Sequence, residues 1–540
     1  MIATEPSTEK RRGAFYTPRL LADFLAKWAI REPTDRVLDP GCGEAVFLRA
    51  GVSRLRSLGG PLSRDQVVGY ELDAAAAAEA ARAVPEATAS RANFFDQEPA
   101  GAPYEAVIGN PPWIRYHFFA GEMRTQALAS AQGEGVSLPR LTSSWAPFVV
   151  HATKFLAPGG RLAFVLPAEL LSTDYAASIR EFLERRFASV LVTTFEERIF
   201  PGALVDAILV RAEGSGPGKV RVQRLRNADQ LGELSTDGDD SQSPIAGLKW
   251  THALIKPETA QALSLASEHL QPLHDVATVD IGIVTGANSF FLLTDRQATE
   301  AGLTEDQLRR VVARGHQLPS YVLSSTEWED QRCCGEVVWL FSPATADGAA
   351  AKYIRRGEDQ RVNGSYKCRI RSPWWRLKLT TPPDLILSYM SNHAPRLVAN
   401  EAGVLTTNLL HNVRLLISHE NPQQLARQLA LSWPNSATMA LTELGGRTYG
   451  GGVLKLETRE AEKVLVPALT DKTAAELERR APAIDHLLRT GQHEAVADLV
   501  DPVVLPSLDP DARAALREAW LDLRGRRKRR SSPASQRRTV

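Results

Sequence analysis

Residues Arg36–Phe47 read RVLDPGCGEAVF, and this short run sets the fold. Val37-Leu-Asp39 is an apolar stretch closed by Pro40, which reads as a strand that ends in a turn. Gly41-Cys-Gly43 follows, and Glu44–Leu58 (EAVFLRAGVSRLRSL) has helical spacing. A G-x-G at a strand-to-helix turn lets the main chain come close to a ligand at the carboxyl end of a sheet. A dinucleotide fingerprint would place glycine at position 46, where this chain has Val46. The turn also begins with an acid, Asp39. An acid is poorly suited to a pyrophosphate and well suited to a cation.

The same alternation continues outward. Val67–Asp73 (VVGYELD) is a strand and Ala74–Val84 (AAAAAEAARAV) a helix; Tyr104–Asn110 (YEAVIGN) is a strand. Ser144–Gly160 (SWAPFVVHATKFLAPGG) is a helix with a glycine stop, followed by the strand Arg161–Pro167 (RLAFVLP) and the helix Tyr175–Phe187. Strands Ser189–Glu197 and Leu204–Gly214 close the series. This βα repetition predicts an α/β domain with a mainly parallel sheet covered on both faces. No helix separates the last two strands, so that pair should be antiparallel. The rhythm stops near residue 235. Ser235–Gly247 (STDGDDSQSPIAG) is polar and turn-rich, a linker by composition. A mixed α+β second domain is expected beyond it. The expected partition is 1–235, 246–522, and a basic, disordered tail over 523–540, whose last residues carry eight basic side chains and no acid.

At 540 residues the chain needs more than one core. It is 44% hydrophobic and 24% charged, with a formal net charge of +1. No global field draws it to an acidic partner, so any nucleic-acid surface must be a local patch. Its four cysteines form no C-x-x-C pair, which disfavours zinc ribbons, and no metal site is expected. There is no secretory signal and no apolar run long enough to span a bilayer, so a cytoplasmic protein without membrane contact is expected.

Three sets of residues suggest chemistry. Asp39, Gly41 and Gly43 form the turn. Glu71, at the end of the second strand, can accept both hydroxyls of a ribose, with Asp73 as runner-up. In Ala92–Gln97 (ANFFDQ), Asn93 or Asp96 could hydrogen-bond an adenine edge and Phe94 could stack on its face. An adenosine with a positive centre and no phosphate is S-adenosylmethionine. The second site is Val107–Ile114 (VIGNPPWI). An exocyclic amine is a poor nucleophile because its lone pair is delocalised into the ring. Two acceptors aimed at its N–H bonds would localise that pair, and the Asn110 side chain and the Pro111 carbonyl are the candidates. Pro111 and Pro112 fix φ and remove backbone donors, so the loop presents carbonyls. Trp113 offers a flat face. Such a base must be flipped out of a duplex, which calls for a second wall. Phe200, in the loop before the last strand, is the candidate; a core aromatic at a strand end would read the same way.

Taken in order, these motifs resemble the gamma-class N6-adenine DNA methyltransferases of type II restriction–modification systems. The resemblance covers residues 11–212. It implies a Rossmann-like S-adenosyl-L-methionine-dependent domain followed by a target recognition domain. Gly13–Pro18 (GAFYTP) matches the family's first motif, so Tyr16, Thr17 and Pro18 would hold the methionine end of the cofactor. Asn110–Trp113 would be the catalytic loop and Phe200 the wall. The family often has Asp-Phe where this chain has Asn93-Phe94, with Asp96 three residues on. The resemblance implies transfer to the N6 amine of a flipped adenine in double-stranded DNA. It also implies a separate cognate restriction endonuclease, a monomeric enzyme and a nucleoid-associated, cytoplasmic bacterial setting. A fused nuclease is not expected, since only about a dozen residues precede the first motif. Cytosine-N4 methyltransferases share the loop logic but more often carry Ser-Pro-Pro. Protein-glutamine methyltransferases use Asn-Pro-Pro-Tyr but are compact. An inert DNA-specificity subunit would not need Asp39, Glu71 and Asn110. In the second half, Tyr366–Arg376 interleaves basic and aromatic residues as a nucleic-acid groove would, although a buried Trp pair with snorkelling arginines fits equally. His411 and Asn412 could read bases or be satisfied internally, and the five glycines of Gly445–Gly452 could approach DNA or simply turn.

Overall fold

The computed structural model describes residues 17–114, 116, 118–197, 199–200, 206–232, 243, 249–416, 421–449 and 451–529. The chain forms two compact units, one ending at Ile255 and one spanning Lys256–Lys528.

The first unit is built on an eight-stranded sheet. Its strands are β1 (Val37–Asp39), β2 (Val67–Glu71), β3 (Thr88–Arg91), β4 (Tyr104–Gly109), β5 (Leu156–Pro167), β6 (Ser189–Phe195), β7 (Ala207–Glu213) and β8 (Lys219–Leu225), in the order β3-β2-β1-β4-β5-β7-β6-β8. Strands β1 to β5 pair in parallel, and β7 runs antiparallel between β5 and β6. The antiparallel hairpin is therefore where the missing crossover placed it. Strand β8, which pairs in parallel with β6, was not anticipated from the sequence.

Strand register decides which side chains meet at the end of the sheet. Asp39 pairs with Gly69, and Leu38 with Val107. The carboxyl ends of β1, β2 and β4 thus lie side by side and bring Asp39, Glu71 and Gly109 to one edge. Strand β5 is fully buried from Leu162 to Leu166, as a central strand covered on both faces should be. The helices pack against it by apolar stripe. In α1 (Arg19–Ala29), Leu21, Ala22, Leu25, Ala26, Trp28 and Ala29 are the buried face. Helices α2 (Val46–Ser57), α3 (Ala74–Ala83), α4 (Gly121–Gly133) and α5 (Trp145–Ala152) complete the part that surrounds the site.

The first unit extends 20 residues beyond the expected boundary at 235, because Trp250 is fully buried in its core and its Nε1 donates to Glu184 at 2.9 Å. Most of the Ser235–Gly247 linker lies outside the described residues. The second unit is mixed α+β, as expected. A five-stranded sheet runs Ala277–Ile281, Leu410–Leu415, Leu385–Ser388, Leu397–Asn400, Val322–Leu323, and a four-stranded sheet is centred on Val337–Phe341 and Leu308–Val312. The expectation of a disordered tail from 523 is corrected: residues Pro510–Arg529 form one helix, and residues 530–540 lie outside the described residues. The basic run did not prevent the helix because some of its arginines are neutralised inside the fold. Arg527 is buried and makes a two-toothed ion pair with buried Glu443, Nη2–Oε1 2.7 Å and Nε–Oε2 2.8 Å. No helix among the described residues is long and apolar enough to cross a membrane.

Candidate functional site

The turn after β1 carries the first group of residues. Gly43 has φ +44° and Ala45 φ +64°, so the chain passes twice through the left-handed region before α2 begins. That is unfavourable for Ala45 by about 1–2 kcal/mol. A Cβ at Gly43 would meet no atom within 4 Å, so this turn faces open space. A Cβ at Gly69 would lie 3.0 Å from the Cβ of Cys42, which explains why β2 carries glycine beside the turn.

Asp39 is 1% exposed. Its Oδ1 accepts from the Gly41 N–H at 3.3 Å, while its Oδ2 is buried with no hydrogen-bond partner. Burial, opposed by the Gly41 N–H and reinforced by the charge of Glu71, pushes its carboxyl up to about 8. A buried acid with one unsatisfied oxygen lacks a cation or donor. Glu71 is organised differently: Oε2 accepts from the Gly43 N–H at 3.0 Å and Oε1 from the Asp73 N–H at 2.9 Å. These bonds orient the carboxylate and leave it further acceptor capacity. Asp73 instead caps α3, accepting from the Ala75 and Ala76 N–H groups. Between them Leu72 is 54% exposed, an apolar surface that nothing in the motif pattern had marked.

The third motif departs from expectation. Phe94 is a core residue, packed against Phe148, His151 and Phe155 at centroid distances of 4.9, 4.7 and 5.1 Å. Its ring has no free face for adenine, so the expected stacking role is corrected to a packing role. Asn93 caps the turn, with Oδ1 accepting from Phe95 N–H at 3.3 Å and Nδ2 donating to Gln126 at 3.2 Å. Asp96 is exposed. What fixes this turn is a residue outside the expected set: buried His151, whose Nε2 donates to the carbonyls of Phe94 and Gln97, both at 3.0 Å. A histidine inside the otherwise apolar α5 was the available signal.

The Asn-Pro-Pro-Trp loop leaves β4 next to Asp39. A Cβ at Gly109 would lie 2.9 Å from Asp39 Oδ1, so glycine is what lets the two sites approach. Asn110 Nδ2 donates to Thr17 Oγ1 at 3.0 Å, across 93 positions of sequence. This bond fixes the amide, and Asn110 Oδ1 is left buried with no partner. Thr17 is buried and Pro18 opens α1; Tyr16 lies outside the described residues. Pro111 is buried and Pro112 half-buried. Trp113 and Phe200 are both buried and meet edge to face at 5.8 Å and 87°. The loop and the wall, expected from separate motifs, therefore form one aromatic corner. Ser144, which no motif had singled out, clamps the loop: its Oγ accepts from Ile114 N–H at 2.9 Å and donates to the Pro112 carbonyl.

In the second unit, His411 and Asn412 are buried and used internally. His411 Nε2 bonds the Leu456 carbonyl at 2.8 Å, and Asn412 Oδ1 accepts from Thr406 at 2.6 Å. In the glycine-rich segment Gly445 ends a helix, Gly446 caps it, and Gly451 and Gly452 lead into strand Val453–Lys455. Among the described residues no cluster of His, Cys, Asp or Glu could hold a metal.

Residues 2–210 match the N-6 DNA Methylase family, and residues 247–505 match the C-terminal domain of the type II methyltransferase M.Eco57I. Type II methyltransferase M.AccI of Acinetobacter calcoaceticus is 23% identical over 504 residues, 86% of this chain and 88% of that protein. M.XamI of Xanthomonas campestris pv. amaranthicola is 26% identical over 493 residues, 85% and 86% of the two chains. Among solved structures, the DrdV–DNA complex shares the fold with a TM-score of 0.52 at 12% identity, covering 90% of this chain and 58% of that one. The turn, the oriented acid and the Asn-Pro-Pro-Trp loop occur in the part of the chain that carries the methylase match, and the two matches together support a DNA adenine methyltransferase of a type II restriction–modification system.

Proposed function

We propose that this chain is a gamma-class enzyme that moves the methyl group of S-adenosyl-L-methionine to the N6 amine of an adenine flipped out of double-stranded DNA. The observation that carries the reading is Asn110. Its amide nitrogen is tied to Thr17, and its buried oxygen has no partner, next to the Trp113–Phe200 corner. An unsatisfied buried acceptor is costly in isolation, and an adenine amine is the donor it lacks.

The residues around the turn fit the cofactor. The orphaned Asp39 Oδ2 suits the positively charged end, Glu71 suits the ribose hydroxyls, Gly41 and Gly43 leave room, and Leu72 offers an apolar surface to the adenine ring. Thr17 and Pro18 lie at the methionine end. When bound, the cofactor supplies a methyl group on a sulfonium, already activated for attack. The chain's own task is placement. Asn110 Oδ1 accepts one N–H of the target amine and the Pro111 carbonyl the other. The Pro112 carbonyl is already committed to Ser144. Both acceptors are fixed before the substrate arrives, which is where such a site gains its rate. Trp113 and Phe200 bound the base. The enzyme is read as a cytoplasmic monomer that acts alongside a separate endonuclease of the same site specificity.

Asn110→Ala is expected to abolish methyl transfer to genomic DNA fragments while S-adenosylhomocysteine binding, measured by calorimetry, persists. Full transfer activity in that variant would exclude the assigned chemistry.

A further inference from the structure

We infer that the second unit grips duplex DNA through a surface centred on the short helix Tyr366–Arg369, with Tyr366 and Ile370 as an apolar wedge pressed against the bases and Lys367 and Arg369 beside them on phosphates. The inference rests on the reading of this chain as a DNA methyltransferase and deepens it by naming where the duplex is held.

Three segments are joined here. Residues 281–291, 366–381 and 404–416 contain Lys367, Arg369, Arg371, Arg376, Lys378 and Arg414 and not one acidic side chain. The first and third are tied by main-chain bonds, Ile283 N–H to Thr406 O at 2.8 Å and Asn408 N–H to Ile283 O at 3.1 Å. The second is tied to the first by Arg371, whose Nη2 donates to the Thr285 carbonyl and whose Nε donates to the Lys367 carbonyl at 2.7 Å. A Cβ at Gly286 would lie 2.6 Å from Lys367 Cβ, so the loop and the short helix are in direct contact. Arg371 is thus a positioning residue for the helix.

The charge on this surface is not neutralised by the protein. Elsewhere in the unit, arginines pair with carboxylates, as Arg427 does with Glu401, Arg489 with Asp485 and Arg527 with Glu443. Among the described residues, no carboxylate pairs with Lys367, Arg369, Arg371, Arg376 or Lys378; Arg371 and Arg376 bond backbone carbonyls instead. Unpaired cations gathered on one surface are the electrostatic footprint of a polyanion.

Apolar exposure coincides with that charge. Tyr366 is 65% exposed and Ile370 61%, one helical turn apart and on one face. Val284 and Leu409, each 40% exposed, lie on the two joined segments. The two tryptophans of this basic–aromatic stretch serve packing rather than the exposed surface. Trp375 is buried, and Trp374 packs on Phe290 at 5.3 Å and donates to Glu358 at 3.0 Å. Trp375 and the Cys368 of the short helix belong to the same buried cluster. An exposed tyrosine and isoleucine with unpaired Lys367 and Arg369 between them on the same short segment match the way apolar side chains wedge at a base step while cations hold the backbone.

The test uses the full chain. Tyr366→Ala/Ile370→Ala and Lys367→Ala/Arg369→Ala are compared with wild type for binding to a 30-base-pair duplex pool cut from unmethylated genomic DNA. Transfer of tritiated methyl groups to the same pool is measured in parallel. The wedge variant should lose roughly tenfold or more in affinity. The charge variant should make the slope of log K against log salt shallower by about 2. Both should bind S-adenosylhomocysteine as wild type does, and Tyr366→Phe should remain near wild type. Wild-type binding and slope in both variants, while the parent chain methylates DNA, overturns the inference alone. No transfer by the parent chain to any fragment overturns the underlying function instead. If the variants dissolve a self-associated form in ultracentrifugation and leave DNA binding intact, the surface is a protein interface and the inference fails.

Discussion

One hydroxyl holds both sides of Trp113. Ser144 Oγ accepts from Ile114 N–H and donates to the Pro112 carbonyl, so the loop that presents the acceptors is pinned just beyond them. Ser144→Ala should lower kcat by about 10–100-fold, since small displacements of a positioned group cost that much. The dissociation constants for DNA and cofactor should stay unchanged. A quench-flow single-turnover assay separates the two, and Ser144→Thr should restore most of the rate. Asp39 makes a second prediction. Its carboxyl sits at about 8 in the folded chain, against an ordinary value of 3.8, and burial is the main cause. The folded, cofactor-free chain therefore keeps a proton that the unfolded chain loses, and its stability should fall as pH rises from about 4 towards 8. A sulfonium beside the acid favours the carboxylate, so affinity for S-adenosylmethionine should climb with pH by up to about tenfold per unit below 8. Calorimetry from pH 6 to 8.5 would measure this. Asp39→Asn should flatten the curve, and S-adenosylhomocysteine, with its neutral sulfur, should show much less of it.

Elements were legible wherever their periodicity was produced by burial alone. Strands β1, β4 and β5 show as apolar runs because both faces are covered, and the glycine-rich turn shows because Gly43 takes a left-handed φ that favours glycine. The Asn-Pro-Pro-Trp loop was legible because two prolines dictate which backbone groups it can offer. Strand β8 was not, since an edge strand reading Lys-Val-Arg-Val-Gln-Arg-Leu hides among polar residues. Phe94 was misread because an aromatic in a motif and an aromatic in a core look alike in sequence; only the ring of partners around it tells them apart. His151 and Ser144 were missed because they act on backbone carbonyls 54 and 32 positions away. The terminal helix is the clearest failure of composition as a guide. Its basic residues suggested a solvated tail, yet Arg527 is matched by Glu443 in the interior. Arg527→Ala would leave that carboxylate buried and uncompensated, with an expected loss of about 3–5 kcal/mol in denaturant unfolding. A disordered tail would give no change.

For the molecule as a whole, near-neutrality constrains how DNA is held. With 64 basic and 63 acidic side chains, long-range attraction averages out. Affinity must come from cations the protein itself does not neutralise; Lys367, Arg369, Arg376 and Lys378 have no carboxylate partner among the described residues, whereas Arg371 is used inside the fold, its Nη1 buried and its Nε and Nη2 on backbone carbonyls. If each of those four meets one phosphate, counterion release gives a slope of about −3.6 in log K against log salt. A chain that used its many ion-paired arginines as well would show a much steeper slope, because it would release more counterions. Fluorescence anisotropy on a fixed duplex between 50 and 300 mM salt distinguishes these cases. The shallow slope carries a further consequence. Non-specific binding should be weak at physiological salt, so the difference between a target site and bulk DNA rests mainly on base contacts and on capture of the extruded adenine. Asn110→Ala should therefore lower affinity for the recognition site, once modified-base sequencing has identified it, more than affinity for unrelated duplex. Equal losses on both would mean that the acceptor loop contributes nothing to discrimination.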